Sequence, residues 1–366
     1  MSEIRPGVQF VREFAPRKTS PAVDTRTTFM VGLTKAGVTD AQVLVRSFAE
    51  FQDAFQTGGQ HSKVFETAVA AFFQFGNAPL WVAKVADAES NGKPNDAAWQ
   101  AALDLFTVDL GPGQVLAPGQ SDTKAHKRLA AHALATNRVA LLDGAKDADP
   151  AALKQLATGL AVSPGSDRCA LFGNWAVTPD GGDIPASVIA AIQTTKVDAI
   201  SNIQPIEQQA TPIAGITVKA WADKDKTAAY KDGANLVISR PGGVVLGGYR
   251  SVLADPGTYD FSATRLMMWL EAQIKTLSAQ FIGSPITTDT VATFHGAVAS
   301  LLSRVFSAGG LFGETAQEAY LVDTRSVNTP ETAAKRELNA RVSIRIAEHV
   351  ELVKVHAVSV PVTETI

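Results

Sequence analysis

One cysteine, Cys169, stands in a chain of 366 residues. A single thiol excludes an internal disulfide framework and a paired-cysteine metal site. Its apolar setting, Cys169-Ala170-Leu171-Phe172, reads as a buried, inert position. Charge is also scarce. Charged residues make up 19%, against roughly 25% in ordinary soluble domains. That deficit fits surface hidden in an assembly, and equally an Ala- and Gly-rich globular protein. The net charge of −3 leaves no basic excess for a nucleic-acid partner, and pairs such as Arg17-Lys18 are short and isolated. No run reaches the ~18 apolar residues that would span a bilayer. The opening Met1-Ser2-Glu3-Ile4-Arg5-Pro6 has no apolar core, so neither a signal peptide nor a membrane-spanning segment is expected. Synthesis in the cytoplasm follows, with export only inside a larger particle.

Several chemistries lack their residues. There is no GxxxxGK[ST] phosphate loop and no GxSxG nucleophile elbow. The glycines of Pro241-Gly242-Gly243-Val244-Val245-Leu246-Gly247-Gly248 have the wrong spacing for a dinucleotide loop and read as a turn between two strands. His126 and His132 lie six apart and His349 and His356 seven, neither a usual metal-ligand spacing. Asp143 ends an apolar strand, where α/β enzymes place catalytic groups. With no base, nucleophile or glycine loop beside it in sequence, it reads as a capping or turn residue. No catalytic residue, metal or cofactor is expected.

What is there is a hydrophobic content of 46%, enough for two or three domains with real cores. Val8, Phe10 and Phe14 alternate with polar residues between Pro6-Gly7 and Pro16, which predicts one strand without a local hairpin partner. Thr27–Leu33 reads as a buried strand. Ser47 with Glu50 predicts a capping box and a helix through Phe55. Ser62 is expected to cap a second helix, with Phe65, Ala68, Val69, Phe72 and Phe73 on its apolar face and Gly76-Asn77 at its end. Leu80–Val85 is a strand, and 88–122 is rich in turn residues. A helix over Thr123–Ala135, a strand over Arg138–Asp143, a helix from Pro150, a strand over Cys169–Phe172 and a helix near Val188–Thr194 follow. This alternation predicts an open α/β layer with a mostly parallel sheet.

The last third differs. Leu266, Leu270, Ile274, Leu277 and Phe281 form one helical stripe over Arg265–Phe281. A second helix, capped at Thr288-Asp289, carries Val291, Phe294, Val298, Leu301 and Val305, and Gly309-Gly310 ends it. Val342, Ile344 and Ile346 then alternate as a strand. Val350 and Leu352 give way to Val353 and Val355 in the other phase, as at a bulge or a switch of partners, and Val358–Thr363 is strand-like. The class is therefore α/β followed by α+β.

At this point the ordered motifs resemble a family, the sheath proteins of contractile phage tails, R-type bacteriocins and type VI secretion systems. Arg5-Pro6-Gly7-Val8 resembles its N-terminal arm. The segment Val69–Val85, with Phe72-Phe73 and Trp81-Val82-Ala83-Lys84-Val85, and the strand Arg138–Asp143 are similar to its α/β part. The region from Ala214-Gly215-Ile216 to Asn235, Val245–Arg250, Ser262–Leu266, Leu301–Gly313, Tyr320–Asp323 and Asn328–Glu331 follow its C-terminal order. Two of these depart from the pattern. An aromatic and a threonine differ at Val245–Arg250, and one arginine stands for two at Ser262–Leu266.

The resemblance implies a structural subunit and no enzyme. It implies stacked hexameric rings polymerised around an inner tube protein, with baseplate and tail-terminator proteins as partners, in a virion tail or related particle that contracts. It further implies a linking arm over 1–23, an outer α/β domain over 24–210, a tube-facing C-terminal domain over 211–349 and a linking strand over 350–366. The arms would exchange strands between subunits through Val8, Phe10 and Phe14 at one end and Val353, Val355 and Val358 at the other. Lys275 and Arg304, on the two long helices, are the candidate tube contacts. Two readings stay beside it: another self-assembling tail component, tube or baseplate, and an α/β enzyme with an unrecognised site.

Overall fold

The computed structural model describes residues 23–349 apart from 77, 87–93, 198–205, 207–212, 214, 217–220, 242 and 254–259. The six named arm residues, Val8, Phe10, Phe14, Val353, Val355 and Val358, lie outside the described residues.

The elements run β1 (Thr28–Gly32), β2 (Val43–Val45), α1 (Phe48–Phe55), α2 (Lys63–Phe75), β3 (Leu80–Lys84), α3 (Asp96–Asp104), β4 (Gly113–Leu116), α4 (Thr123–Thr136), β5 (Arg138–Asp143), α5 (Pro150–Ala161), β6 (Cys169–Gly173), β7 (Ala176–Val177), β8 (Asp183–Ile184), α6 (Ala186–Thr195), β9 (Gly215–Ile216), α7 (Asp223–Lys231), β10 (Ala234–Arg240) and β11 (Gly243–Leu246). Eight strands form one sheet in the order β11-β10-β6-β5-β4-β1-β3-β2. The six central strands are parallel, and β2 and β11 pair antiparallel at the two edges.

Successive residues of each central strand serve opposite faces. Met30, Val82, Leu141 and Phe172 pack under α1, α2 and α6. Phe29, Val31, Ala83, Leu142 and Leu171 pack under α3, α4, α5 and α7. Both faces are covered, which explains strands that read as continuous apolar runs. Each large side chain buried this way contributes about 1.5–3 kcal/mol before ordering costs.

Beyond the sheet come α8 (Phe261–Ser278), α9 (Thr288–Ser307), α10 (Ala316–Ala319), β12 (Tyr320–Asp323), α11 (Pro330–Ala334) and β13 (Arg341–Ile344). Helices α8 and α9 pack through Leu266, Trp269, Leu270, Phe294, Val298, Leu301 and Val305, and the two-stranded sheet β12–β13 lies on the same core. Gly309, at φ 81°, takes the left-handed conformation that ends α9.

Several expectations need correction. The division at 210/211 cuts through the main sheet, because β10 and β11 extend it beside β6. The reason is that Asn235 staples this region in place. Its side-chain amide donates to Leu171 O (3.1 Å) and Arg250 O (2.8 Å), and its Oδ1 accepts from Arg250 N (2.7 Å). The architecture changes at Asp260 instead, the N-cap of α8. Strand β4 lies inside a stretch read as turns. Its Gly113 is required there, since a Cβ would meet Thr27 O at 2.2 Å. Ser62 stands at the N-cap position of α2, as expected, but its side chain makes no capping bond to the helix. Its hydroxyl bonds Glu66, whose carboxylate also accepts from Gly58 N and Gly59 N, so the acid organises the loop. The cap of α9 is Thr287, one residue earlier than expected.

Candidate assembly surface

In an open α/β sheet, ligands bind where the strand order reverses, beyond the carboxyl ends of the strands. Here that place lies between β1 and β4. The depression beside it has a volume of about 160 Å³ and is lined by Gly32, His61, Phe65, Trp99, Gly119 and Trp175 among others. One lining residue is anchored behind it: Trp175 Nε1 donates to Gly144 O at 3.0 Å.

Asp143, at the end of β5, is buried and fully engaged. One oxygen accepts from Ser187 N (2.8 Å), capping the first turn of α6. The other accepts from Ser187 Oγ (2.8 Å) and Gly119 N (3.0 Å). Burial pushes its carboxyl up to about 7, against the pull of those donors. His126 hydrogen-bonds through Nε2 to Asp143 O at 3.0 Å, and burial lowers its basicity. The pair therefore clamps β5, α4, α6 and the 119 turn together, as the capping reading expects. Burial likewise pushes the Cys169 thiol up, so the reactive thiolate is disfavoured. Among the described residues no group of three or more His, Cys, Asp or Glu is placed to hold a metal ion, and no helix is long and apolar enough to cross a membrane.

The C-terminal unit offers surfaces of another kind. One face of β12–β13, with Tyr320, Val322, Val342 and Ile344, packs on α8 and α9. The other face carries Leu321, Ser343, Arg341 and Arg345, with Leu321 63% exposed; Phe312, whose N–H donates to Arg345 O, is 68% exposed. Among the described residues no third strand pairs with either edge of this sheet. Arg345 N donates to Ala319 O at 2.9 Å. Antiparallel alternation then turns the N–H and C=O groups of Val342 and Ile344 outward, away from β12. A two-stranded sheet is marginal alone, so this platform is suited to accepting strands.

Both terminal segments begin at α8. Val23 packs on the C-terminal core, and its carbonyl accepts from Trp269 Nε1 at 3.1 Å. His349, the last described residue, pairs through Nδ1 with Asp260. Neither anchor is visible in the sequence, because they join residues 246 and 89 positions apart.

Lys275 and Arg304 are exposed on α8 and α9, but the structure does not bring them together. Val305 meets Leu266 around Gly310, and Lys275 lies nine residues beyond Leu266, about 13.5 Å along the axis.

No family model matches the sequence, and no curated protein matches it. Solved structures do. A chain of the anti-feeding prophage helical sheath in its contracted state is 19% identical, with 96% of this chain and 98% of that one covered and a TM-score of 0.77. A chain of the anti-feeding prophage baseplate is 18% identical over 98% and 99%, with a TM-score of 0.76. A sheath tail protein of Desulfitobacterium hafniense, 8% identical over 87% and 93%, has a TM-score of 0.63. Over nearly its whole length, this chain has the fold of contractile-sheath subunits.

Proposed function

We propose that the chain is the structural subunit of a contractile sheath, polymerising as stacked hexameric rings around an inner tube. The observation that carries this is the likeness over 96% of this chain and 98% of a sheath subunit. An enzyme that had merely borrowed an α/β layer would share only that layer. Here the α8–α9 hairpin and the β12–β13 platform are shared as well.

In this reading the 1–22 and 350–366 segments leave the body at α8 and add strands to the β12–β13 platforms of neighbouring subunits. Val8, Phe10 and Phe14, and Val353, Val355 and Val358, supply the apolar side chains. Main-chain pairing of this kind tolerates large rigid-body shifts, because it does not depend on one set of side-chain contacts. The hairpin unit faces the tube, with Lys275 and Arg304 as separate contacts, and the α/β layer faces outward. Baseplate and terminator proteins bound the polymer, and the particle carries the chain to its target. Contraction is relaxation from a metastable lattice, which needs no nucleotide and agrees with the missing phosphate loop.

The baseplate match favours a second reading, a short sheath-like ring beside the baseplate. Deleting residues 1–15 tests the arm. The proposal expects a soluble, cooperatively melting subunit that forms no long cylinders. Aggregation of the truncated chain would place the arm in its own core, and cylinders formed without it would place the connections elsewhere.

A further inference from the structure

Beyond β13 the chain runs back across the C-terminal unit. Phe312 N donates to Arg345 O at 2.8 Å, Leu311 and Ile346 form an antiparallel bridge, and Ala347 N donates to Gly310 O at 3.1 Å. The run then reaches the start of α8, where His349 Nδ1 meets the Asp260 carboxylate. Asp260 has three tasks there. Its Oδ1 caps α8 by accepting from Ser262 N at 2.8 Å, its backbone bridges Arg250, and its Oδ2 receives His349. The Asp260 and His349 side chains are only 17% and 14% exposed, so salt and water screen the pair weakly. Other charged and titratable groups face the pair from each element packed here. On α8 it is Arg265, which is buried. Ahead of α8 the Tyr249 hydroxyl hydrogen-bonds Arg265 and Thr194 and lies within the field of Asp260, and Arg250 lays its guanidinium over the Tyr230 ring, 3.9 Å from the centroid. On the run itself Arg345 and Glu348 are exposed. Of all these groups, only the His349 imidazole is of a type that ordinarily changes charge between pH 5 and 8.

We infer that His349 and Asp260 form a proton-operated latch between the 345–349 run and the base of α8, closed as an ion pair in mild acid and loosened to a neutral hydrogen bond in mild base. A carboxylate at hydrogen-bond distance favours the charged imidazole, and a charge-assisted bond is about twice as strong as a neutral one. The folded chain therefore holds the His349 proton more firmly than the unfolded chain. Stability from the latch is fully present below the ordinary histidine range and is lost as pH rises through the folded value. Because 345–349 continues β13, the latch holds the β12–β13 platform to the helical hairpin more tightly in acid. Both partners belong to one chain, so the latch works whether or not that chain builds a sheath.

The test is a double-mutant cycle on the purified full chain with D260N, H349Q and both, at pH 5.5 and pH 8.5. Asparagine keeps the α8 cap while removing the charge, and glutamine stands in for the neutral imidazole. Amide exchange over residues 344–349, corrected for intrinsic rates, reads the latch. At pH 5.5 each single variant should raise exchange about tenfold, and the double variant should add little to either. At pH 8.5 the parent should exchange about as fast as H349Q. The His349 ring resonance should titrate at higher pH in the parent than in D260N. Additive losses at pH 5.5, equal coupling at the two pH values, or a His349 titration that D260N leaves unchanged would overturn the latch. If D260N does not fold, H349Q decides alone: loss of the pH dependence of exchange supports the latch, and its persistence overturns it.

Discussion

The Arg138 guanidinium lies 3.7 Å from the centroid of the Phe29 ring, in the interior of the α/β layer. It donates to Phe106 O (2.6 Å), Thr107 O (2.7 Å) and Gly111 O (3.1 Å), closing the loop before β4, and meets His132 Nε2 at 3.0 Å. Burial lowers its pKa only to about 10, so it stays a cation at neutral pH. R138M should cost about 3–5 kcal/mol in urea unfolding, because three carbonyls lose their donor at once. R138K should recover part of this, since an ammonium lacks the planar fork. A loss below about 1 kcal/mol for R138M would contradict this account.

His132 gives the fold an acid limit. Burial first, then the Arg138 charge, lowers its pKa to about 4. The folded state therefore binds its proton less readily than the unfolded chain. Its contribution is present above about 6.5 and lost as pH falls towards 4, at no more than about 1.4 kcal/mol per pH unit. H132Q, which keeps an acceptor for Arg138, should flatten the loss between pH 6.5 and 4. An unchanged slope would remove His132 from the explanation.

Asp143 acts with the opposite sign. Its folded pKa of about 7 is above the ordinary carboxyl value of 3.8, so the folded state holds a proton that the unfolded chain releases. Stability from this group is present below about 4 and declines as pH rises through 7. D143N should abolish that decline. Urea midpoints at pH 4.5 and 7.5 measure it, and a decline as steep as the parent's would show that the carboxyl is ionised throughout.

The outward N–H of Val342 is where an added strand would dock. V342P removes that donor while leaving the β12–β13 bonds in place. The subunit should keep a cooperative melt and lose cylinder formation. Cylinders of normal length from V342P would exclude this edge as the docking site.

Much of the α/β layer was legible because both sheet faces are covered, so β1, β3, β5 and β6 stand out as short apolar runs between helices of 3.6-residue period. Strand β4 was hidden by Gly111-Pro112-Gly113: Gly111, at φ 86°, ends the turn before the strand, whereas Gly113 is already in the strand and is required by its close approach to Thr27. The reach of the sheet past residue 210 was hidden because Asn235, a polar residue inside β10, acts through its amide, which periodicity does not register. The platform strand β13 was legible from Val342, Ile344 and Ile346. The anchors Trp269 and Asp260 were not, because a single long-range hydrogen bond leaves no period in a sequence. Lys275 and Arg304 were found as exposed helix charges, but sequence spacing gave no way to see that they lie well apart along the hairpin.

Electron microscopy of the purified full-length chain tests the central claim most directly. The account predicts hollow, striated cylinders with six subunits per ring, or stacks of such rings. A population of discrete monodisperse monomers, with no rings or cylinders at any concentration, would contradict it.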